Sequence, residues 1–272
     1  MFDNSAQALL TLERRDELSF VGKSIRFDVP IIFGGQLLAQ VLYAAANTLP
    51  SERCASHLSA HFLSYGDPKA DLEFQVCVLK DGKTTSLRQV EVMQEGRLLM
   101  LATVSFAQPC DGYEFHSTMP ETPQPSSLAD KKDIRFSLTA DQNAFPFVMV
   151  SSPNLIEDDL NTSGIWVKSL MEIGDSKLWQ QMLFAFISDA TILQSVLRPH
   201  GLVFGDPTLI VATMNHAIWF HRALNIQDWI LVRANTPSTG AGRALALANA
   251  YSGSGELQCT VAQEGVFKPS AA

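Results

Sequence analysis

The feature that most constrains the fold of this chain is an order of predicted elements that occurs twice: a helix followed by about four strands. In the first half, residues 34–50 begin with two glycines and continue as an Ala- and Leu-rich run that ends at Pro50, which predicts a buried helix. From Cys54 the apolar residues follow a period of two, and Asp-Gly and Glu-Gly pairs mark turns between four predicted strands. This order indicates an α+β fold.

Two pairs of residues recur at similar spacing in the two halves. Phe62 precedes Thr103 by 41 residues, and Phe220 precedes Thr260 by 40 residues. Self-similarity at such a period predicts a duplicated domain. The alternative is that two antiparallel meanders resemble each other by chance.

A segment rich in Pro, Ser and Thr separates the two halves. Residues 109–127 break the strand pattern and indicate a linker. We therefore predict an N-terminal domain over residues 1–108, a linker over 109–140 and a C-terminal domain over 141–272, the last of which carries the candidate site residues.

The composition limits the class of protein. With 46% hydrophobic residues the chain can bury a substantial core, and a net charge of −8 disfavours nucleic acid as a partner, because phosphate binding needs a basic surface. The four cysteines form no C-x-x-C pair, no histidine spacing matches a zinc site, and no apolar run is long enough to span a membrane. Residues 13–17 are all charged where an export signal would need an apolar run, so we expect a cytoplasmic protein. The cysteine and histidine spacing predicts no bound metal.

The helix predicted in the second half contains one residue that does not fit its pattern. Asp175 or Ser176 can cap this helix, and Pro199 with Gly201 is expected to end it. Asp189 lies within a stripe of apolar residues at helical spacing. The stripe consists of Trp179, Met182, Phe186, Leu193 and Leu197. Burying an unpaired charge is costly, so Asp189 needs partners or a function, unless the buried face is narrower and Asp189 lies at its edge.

Two strand residues of the same half can join Asp189. Strict alternation puts Thr213 on one face of its strand and His216 on the other, where we expect a structural role. The residues expected on the face of Thr213 are Val211, Asn215, Ala217 and Trp219. Gln263 prolongs an apolar face of the last strand, although a threonine in a strand and a glutamine at a strand end are ordinary by themselves. Together, a carboxylate that accepts a proton and a hydroxyl and amide that fix orientation can hold one water.

Several segments, in order along nearly the whole chain, resemble those of type II acyl-CoA thioesterases, the TesB-like family. They are FGGQLLAQVLYAA, HFLSYGDP, LKDG, TVSFAQP, MP-x-x-P-x-P, SDATIL, LRPHG, HAIWFHR and AQEGV. The resemblance implies two fused hotdog domains, each a long helix wrapped by an antiparallel sheet. It also implies hydrolysis of acyl-CoA thioesters to free fatty acid and CoA by an activated water, with no cofactor, in a homodimer or higher homo-oligomer.

The resemblance also implies which residues act. In this family an Asp on the second helix, a Thr or Ser on the next strand and a Gln before Glu-Gly form the water-activating site, and the matching positions are Asp189, Thr213 and Gln263. We expect Asp189 to be the general base. As substrate-binding groups, we expect the backbone N–H groups of Gly35 and Gln36 to stabilise the oxyanion.

The chain departs from the family pattern at some positions, and two other functions stay open. Asn215 stands where an Asp usually precedes the His, and Arg243 is followed by Ala where Gly is usual. One alternative is a hotdog enoyl-CoA hydratase or dehydratase, which usually needs an Asp and a His five residues apart; the residue five after Asp189 is Gln194. The other alternative is a non-catalytic acyl-CoA-binding protein, in which the departures record lost activity.

Overall fold

The two halves contain the predicted order of elements. The computed structural model describes residues 5–25, 31–128, 147–152, 161–203 and 205–270. The elements of the first half are α1 Ser5–Leu10, β1 Glu13–Arg14, β2 Ser19–Gly22, α2 Gly34–Ala46, β3 Cys54–Phe62, β4 Leu72–Asp81, β5 Thr85–Gln94 and β6 Arg97–Ala107. Those of the second half are β7 Phe147–Ser152, β8 Thr162–Ser169, α3 Lys177–Thr191, β9 Leu209–Phe220, β10 Ile230–Gly240, β11 Arg243–Ser252 and β12 Leu257–Pro269.

All of these strands belong to one antiparallel sheet, in the order β1-β2-β4-β5-β6-β3-β9-β12-β11-β10-β8-β7. The halves meet at a seam where β3 pairs with β9, from His57 opposite Trp219 to His61 opposite Asn215. Outward from the seam, the first half runs β3, β6, β5, β4, β2 and the second runs β9, β12, β11, β10, β8. This matching order is the one expected of a duplicated unit, and the α+β class predicted from the sequence is confirmed.

The helices α2 and α3 pack against each other and against the inner face of the sheet. The middle of α2 is buried on nearly every side, because its alanines leave room for close neighbours. Its buried apolar residues are Leu37, Leu38, Ala39, Val41, Leu42, Ala44 and Ala45. Because α3 buries an unbroken run from Met182 to Ile187, the face that continues to Asp189 also lies inside the molecule.

The helix α3 is shorter than the sequence pattern predicts. It begins as expected, since the Ser176 hydroxyl accepts a hydrogen bond from the Trp179 N–H, but it ends at Thr191 rather than near Gly201. The Thr191 hydroxyl donates to the backbone carbonyls of Ile187 and Ser188, and such side-chain bonds compete with helix continuation. Short 3₁₀ turns continue the chain to Gly201, which has the left-handed φ of 66°.

The described part of the predicted linker covers the outer face of the second-half sheet. Trp166 Nε1 donates to the Pro123 carbonyl at 2.9 Å, and the hydroxyls of Ser117 and Tyr251 are 3.1 Å apart. The apolar side chains at this contact form a cluster separate from the main core. Leu128 comes from the linker, and the sheet contributes Val150, Trp166, Leu231, Tyr251 and Leu257. Residues 129–140 and the predicted boundary at 140/141 lie outside the described residues.

Candidate active site

Three side chains from separate elements meet at one carboxylate oxygen. Thr213 Oγ1 donates to Asp189 Oδ1 at 3.0 Å, and Gln263 Nε2 donates to the same oxygen at 2.7 Å. Gln263 Nε2 also donates to Thr213 Oγ1 at 2.8 Å. The structure therefore brings together the helix residue and the two strand residues singled out from the sequence.

The carboxylate of Asp189 lies inside the molecule rather than at a solvated helix edge. Its side chain is 6% exposed, and Gln263 is fully buried. Burial raises the pKa of Asp189 from 3.8 to about 6, and the hydrogen bonds from Thr213, the Gly35 N–H and Gln263 oppose this rise. The group is therefore mainly ionised at neutral pH while its proton affinity is higher than that of an exposed carboxylate.

Two glycines let the start of α2 approach this carboxylate. A Cβ atom on Gly34 would lie 2.8 Å from Asp189 Oδ2, and one on Gly35 would lie 2.2 Å from the Phe186 carbonyl oxygen. The Gly35 N–H donates to the Asp189 carboxylate, at the helix end where the partial charge is positive. Close backbone approach is therefore the physical requirement for glycine at both positions.

Gln36 has a different local environment from Gly35. Its side chain accepts from the Ile25 N–H at 2.7 Å and donates to the Lys23 carbonyl at 2.9 Å, which ties the preceding segment to α2. The Gln36 N–H donates to the Phe33 carbonyl at 3.2 Å. The oxyanion role of Gly35 and Gln36 stays a prediction, and of the two only Gly35 contacts Asp189.

The sequence pattern placed His216 wrongly. Thr213 pairs with Gly265 and Asn215 pairs with Glu264, so Met214 is an extra residue that forms a β-bulge. After the bulge the alternation shifts by one, and His216 rather than Asn215 shares the inner face with Thr213. The sequence feature that could have revealed this bulge is Gly265, which lies opposite Thr213 on β12. A glycine inside a strand often marks a bulge or a close approach of another backbone.

His216 contacts the site from the side of β9. Its Nε2 is 2.9 Å from Ser188 Oγ, and its Nδ1 is 4.0 Å from Asp189 Oδ1. Burial lowers the pKa of His216 to about 3, so the ring is neutral at physiological pH and its contact with Asp189 is not an ion pair.

The first half carries no copy of this constellation at the equivalent place. The strand that each half contributes to the seam has a bulge against its other neighbour: Ser56 is the extra residue in β3 opposite β6, and Met214 is the extra residue in β9 opposite β12. Counted from these bulges, the first-half counterparts are apolar and buried: Ala55 for Thr213, Leu58 for His216 and Val104 for Gln263. The chain therefore has a single constellation of this kind among its described residues.

Two family models match most of the chain. The model described as acyl-CoA thioesterase matches residues 154–266, and that described as acyl-CoA thioesterase N-terminal domain matches residues 26–107. The chain belongs to the acyl-CoA thioesterase family. It is 29% identical to acyl-CoA thioesterase 2 of Haemophilus influenzae over 278 residues, covering 97% of each chain.

Solved structures agree with this membership and give the fold. The structure is similar to that of the TesB protein of Mycobacterium avium subsp. paratuberculosis, with a TM-score of 0.84 and 28% sequence identity. The match covers 98% of this chain and 99% of the TesB chain. The structure also resembles a hot dog fold protein of unknown function from Alicyclobacillus acidocaldarius, with a TM-score of 0.79, 17% identity and coverage of 99% and 100%. The predicted hotdog fold is confirmed.

The described residues contain no cluster of three or more His, Cys, Asp or Glu side chains arranged to hold a metal ion. Within the same residues, the helices of this thioesterase-family chain are too short or too polar to cross a membrane.

Proposed function

We propose that this chain hydrolyses acyl-CoA thioesters to a free carboxylic acid and CoA, with Asp189 as the general base. The observation that carries the proposal is the buried Asp189 carboxylate held by Thr213 and Gln263, and its burial raises the pKa of Asp189 to about 6. A base whose pKa lies near the working pH is mostly ionised and still accepts a proton readily. Membership of the acyl-CoA thioesterase family supports the substrate class.

In the proposed mechanism, a water beside Asp189 attacks the thioester carbonyl carbon while its proton passes to the carboxylate. Thr213 and Gln263 both donate to Oδ1, so we assign the proton to Oδ2, which faces Gly34. The tetrahedral intermediate then collapses, the C–S bond breaks, and the proton on Asp189 neutralises the departing CoA thiolate. Thr213 and Gln263 orient the carboxylate and, through it, the water.

We assign stabilisation of the oxyanion to the start of α2. The Gly35 N–H donates to Asp189, so a thioester carbonyl oxygen at this N–H would share the donor with the carboxylate and lie beside the attacking water. The positive end of the helix dipole adds to this N–H. Both N–H groups of the predicted pair have a protein acceptor, the Phe33 carbonyl for Gln36 and the Asp189 carboxylate for Gly35, and we choose Gly35 because its N–H lies against the carboxylate.

Aromatic rings near the carboxylate suit an acyl chain. The rings of Phe33 and Phe186 are 5.0 Å apart, and those of Phe147 and Phe186 are 5.7 Å apart. The Phe62 ring lies 2.9 Å from where a Gly34 Cβ would be. We propose that the acyl chain lies along these rings, between the helices and the sheet.

A thiol-release assay on a series of acyl-CoA substrates tests the proposal and ranks chain lengths. Hydrolysis with turnover is expected. Hydration of an enoyl-CoA without thiol release would instead support a hydratase, and tight binding without turnover would support a binding protein. The structure disfavours the hydratase, because the Gln194 amide at the position of the expected histidine donates to the Ala190 carbonyl.

We also propose that the chain forms at least a homodimer in the cytoplasm. Near the seam the outer sheet face exposes apolar side chains, including Trp219 at 40% and Leu247 at 37%, and exposed apolar faces favour association. All four cysteines are unpaired, which suits a reducing compartment. Light scattering at micromolar concentration is expected to give at least twice the chain mass, and a 29.8 kDa particle would count against a dimer.

A further inference from the structure

Two buried polar atoms beside Asp189 lack a hydrogen-bond partner among the described residues. They are Nδ1 of His216 and Oε1 of Gln263. Both side chains are fully buried, and a buried polar atom without a partner is costly. His216 and Gln263 are direct cross-strand partners in the β9–β12 register, which places their side chains next to each other on one face.

The orientation of the Gln263 amide decides whether it supports the carboxylate. With Nε2 towards Asp189, the amide donates to Oδ1 and to Thr213. With the amide turned over, its oxygen would face the carboxylate oxygen, and two acceptors would repel each other. An amide can turn, so the productive orientation needs a partner that favours Oε1 on the far side.

The other ring nitrogen of His216 limits which tautomer it adopts. Nε2 lies 2.9 Å from Ser188 Oγ, and this hydroxyl can donate either to Nε2 or to the Ala185 carbonyl, also at 2.9 Å. If the hydroxyl donates to Ala185, the ring must carry its proton on Nε2. Nδ1 is then a bare acceptor next to Gln263 Oε1, which leaves both atoms unpaired.

We propose that His216 is a positioning residue that holds Gln263 in its productive orientation, in the neutral tautomer with the proton on Nδ1. Nε2 accepts the Ser188 hydroxyl proton, Nδ1–H donates to Gln263 Oε1, and Gln263 Nε2 donates to Asp189. Every donor in this series of hydrogen bonds points towards the carboxylate, so each hydrogen bond polarises the next. The kinetic part of this inference rests on the proposed thioesterase function, and the tautomer does not.

The electrostatics of the ring agree with this arrangement. Contact with the Gln263 side chain raises the pKa of His216, as expected if the ring donates to Oε1, although burial lowers the pKa further. Because burial lowers the pKa of His216 to about 3, the ring is too weak a base to take the proton of the attacking water, and as a neutral group it does not share the charge of Asp189.

Two substitutions of His216 show whether the site needs its hydrogen bond to Gln263 or only its volume. An asparagine amide can place its NH₂ group near the position of Nδ1, whereas a glutamine amide reaches the position of Nε2 and fills more of the ring volume. We expect H216N to stay near wild-type kcat and H216Q to lose about 10-fold to 100-fold, a loss similar to that caused by removing the groups that orient ligands in metal sites. We also expect the acid limb of the kcat profile to move to higher pH in H216Q only.

An H216Q variant as active as H216N, or more active, would overturn the proposal, because it would show that volume is what matters. A long-range ¹H–¹⁵N spectrum of the wild-type protein tests the tautomer directly and needs neither a variant nor activity. We expect His216 to show a protonated Nδ1 and a bare Nε2. A proton on Nε2 would overturn the proposal even if thiol release confirms the thioesterase, and a chain without thioesterase activity could still show the expected tautomer.

Discussion

Gln263 and Asp189, 74 residues apart in the chain, are joined by a hydrogen bond of 2.7 Å from Nε2 to Oδ1. This bond opposes the rise in pKa that burial causes, as do those from Thr213 and the Gly35 N–H. Without these donors the buried carboxyl group would be expected to stay protonated to higher pH. The relationship therefore explains how an acid can be buried on an apolar helix face and still act as a base at neutral pH.

The raised pKa of Asp189 predicts an acid limb in the activity profile. Because the ionised form is the base, kcat is expected to fall as pH drops through about 6, approaching a tenfold loss for each further pH unit. T213V removes one donor to the carboxylate, so its acid limb is expected at higher pH than that of wild type. A wild-type kcat that is constant from pH 7 to pH 5, with the fold intact by circular dichroism, would contradict the assignment.

The same pKa predicts a gain in stability when the charge is removed. The folded pKa of about 6 lies above the usual 3.8, so this group's favourable contribution to the free energy of unfolding is full below about pH 4 and is lost as pH rises through about 6. D189N is therefore expected to be more stable than wild type at pH 8, by on the order of 1–3 kcal/mol, with a smaller difference at pH 4.

Thermal unfolding at both pH values measures this difference. The exposed Asp111 provides a matched control, since D111N removes a carboxylate that lies in the linker outside the core. A D189N variant that unfolds at a lower temperature than wild type at pH 8 would show that the buried charge is not a source of instability.

Gly35 is expected to tolerate no side chain. In G35A the new Cβ would lie 2.2 Å from the Phe186 carbonyl oxygen and 2.5 Å from the Phe33 ring, so α2 must move away from α3. We expect a loss of 1–3 kcal/mol, typical of overpacking, and at least a 10²-fold lower kcat because the Gly35 N–H leaves the carboxylate. G112A is the control, since its Cβ would have no atom within 4 Å, and equal effects of the two variants would refute the close-approach argument.

Asn215, where the family usually has Asp, lies on the outer face of the sheet. Its Nδ2 donates to Glu264 Oε2 at 2.9 Å, and Arg243 Nε lies 3.9 Å from the other oxygen of Glu264. N215D would place two carboxylates together, so we expect a loss of about 1 kcal/mol that shrinks in high salt, with kcat nearly unchanged. Melting temperatures at low and high salt measure this, and a fall in kcat without a change in melting temperature would place residue 215 in the catalytic site instead.

Much of the fold follows from local sequence patterns. The repeated order of a helix followed by about four strands was predictable because apolar periodicity and turn residues are local. The odd position of Asp189 in the apolar stripe was visible for the same reason, whereas roles for Thr213 and Gln263 needed the family resemblance. Two features were not predictable from periodicity: the end of α3 at Thr191, which side-chain hydroxyls favour, and the placement of His216, which depends on one extra residue at Met214.

In the proposed mechanism the Asp189 carboxylate activates the water that attacks the thioester. The most direct test is kcat for thiol release from an acyl-CoA by D189N, whose side chain has nearly the same shape but cannot accept the proton. With the fold confirmed by its thermal unfolding, D189N is expected to lose about 10²-fold to 10⁴-fold in kcat, the usual contribution of a general base. A folded D189N variant with near wild-type kcat would show that Asp189 is not the general base.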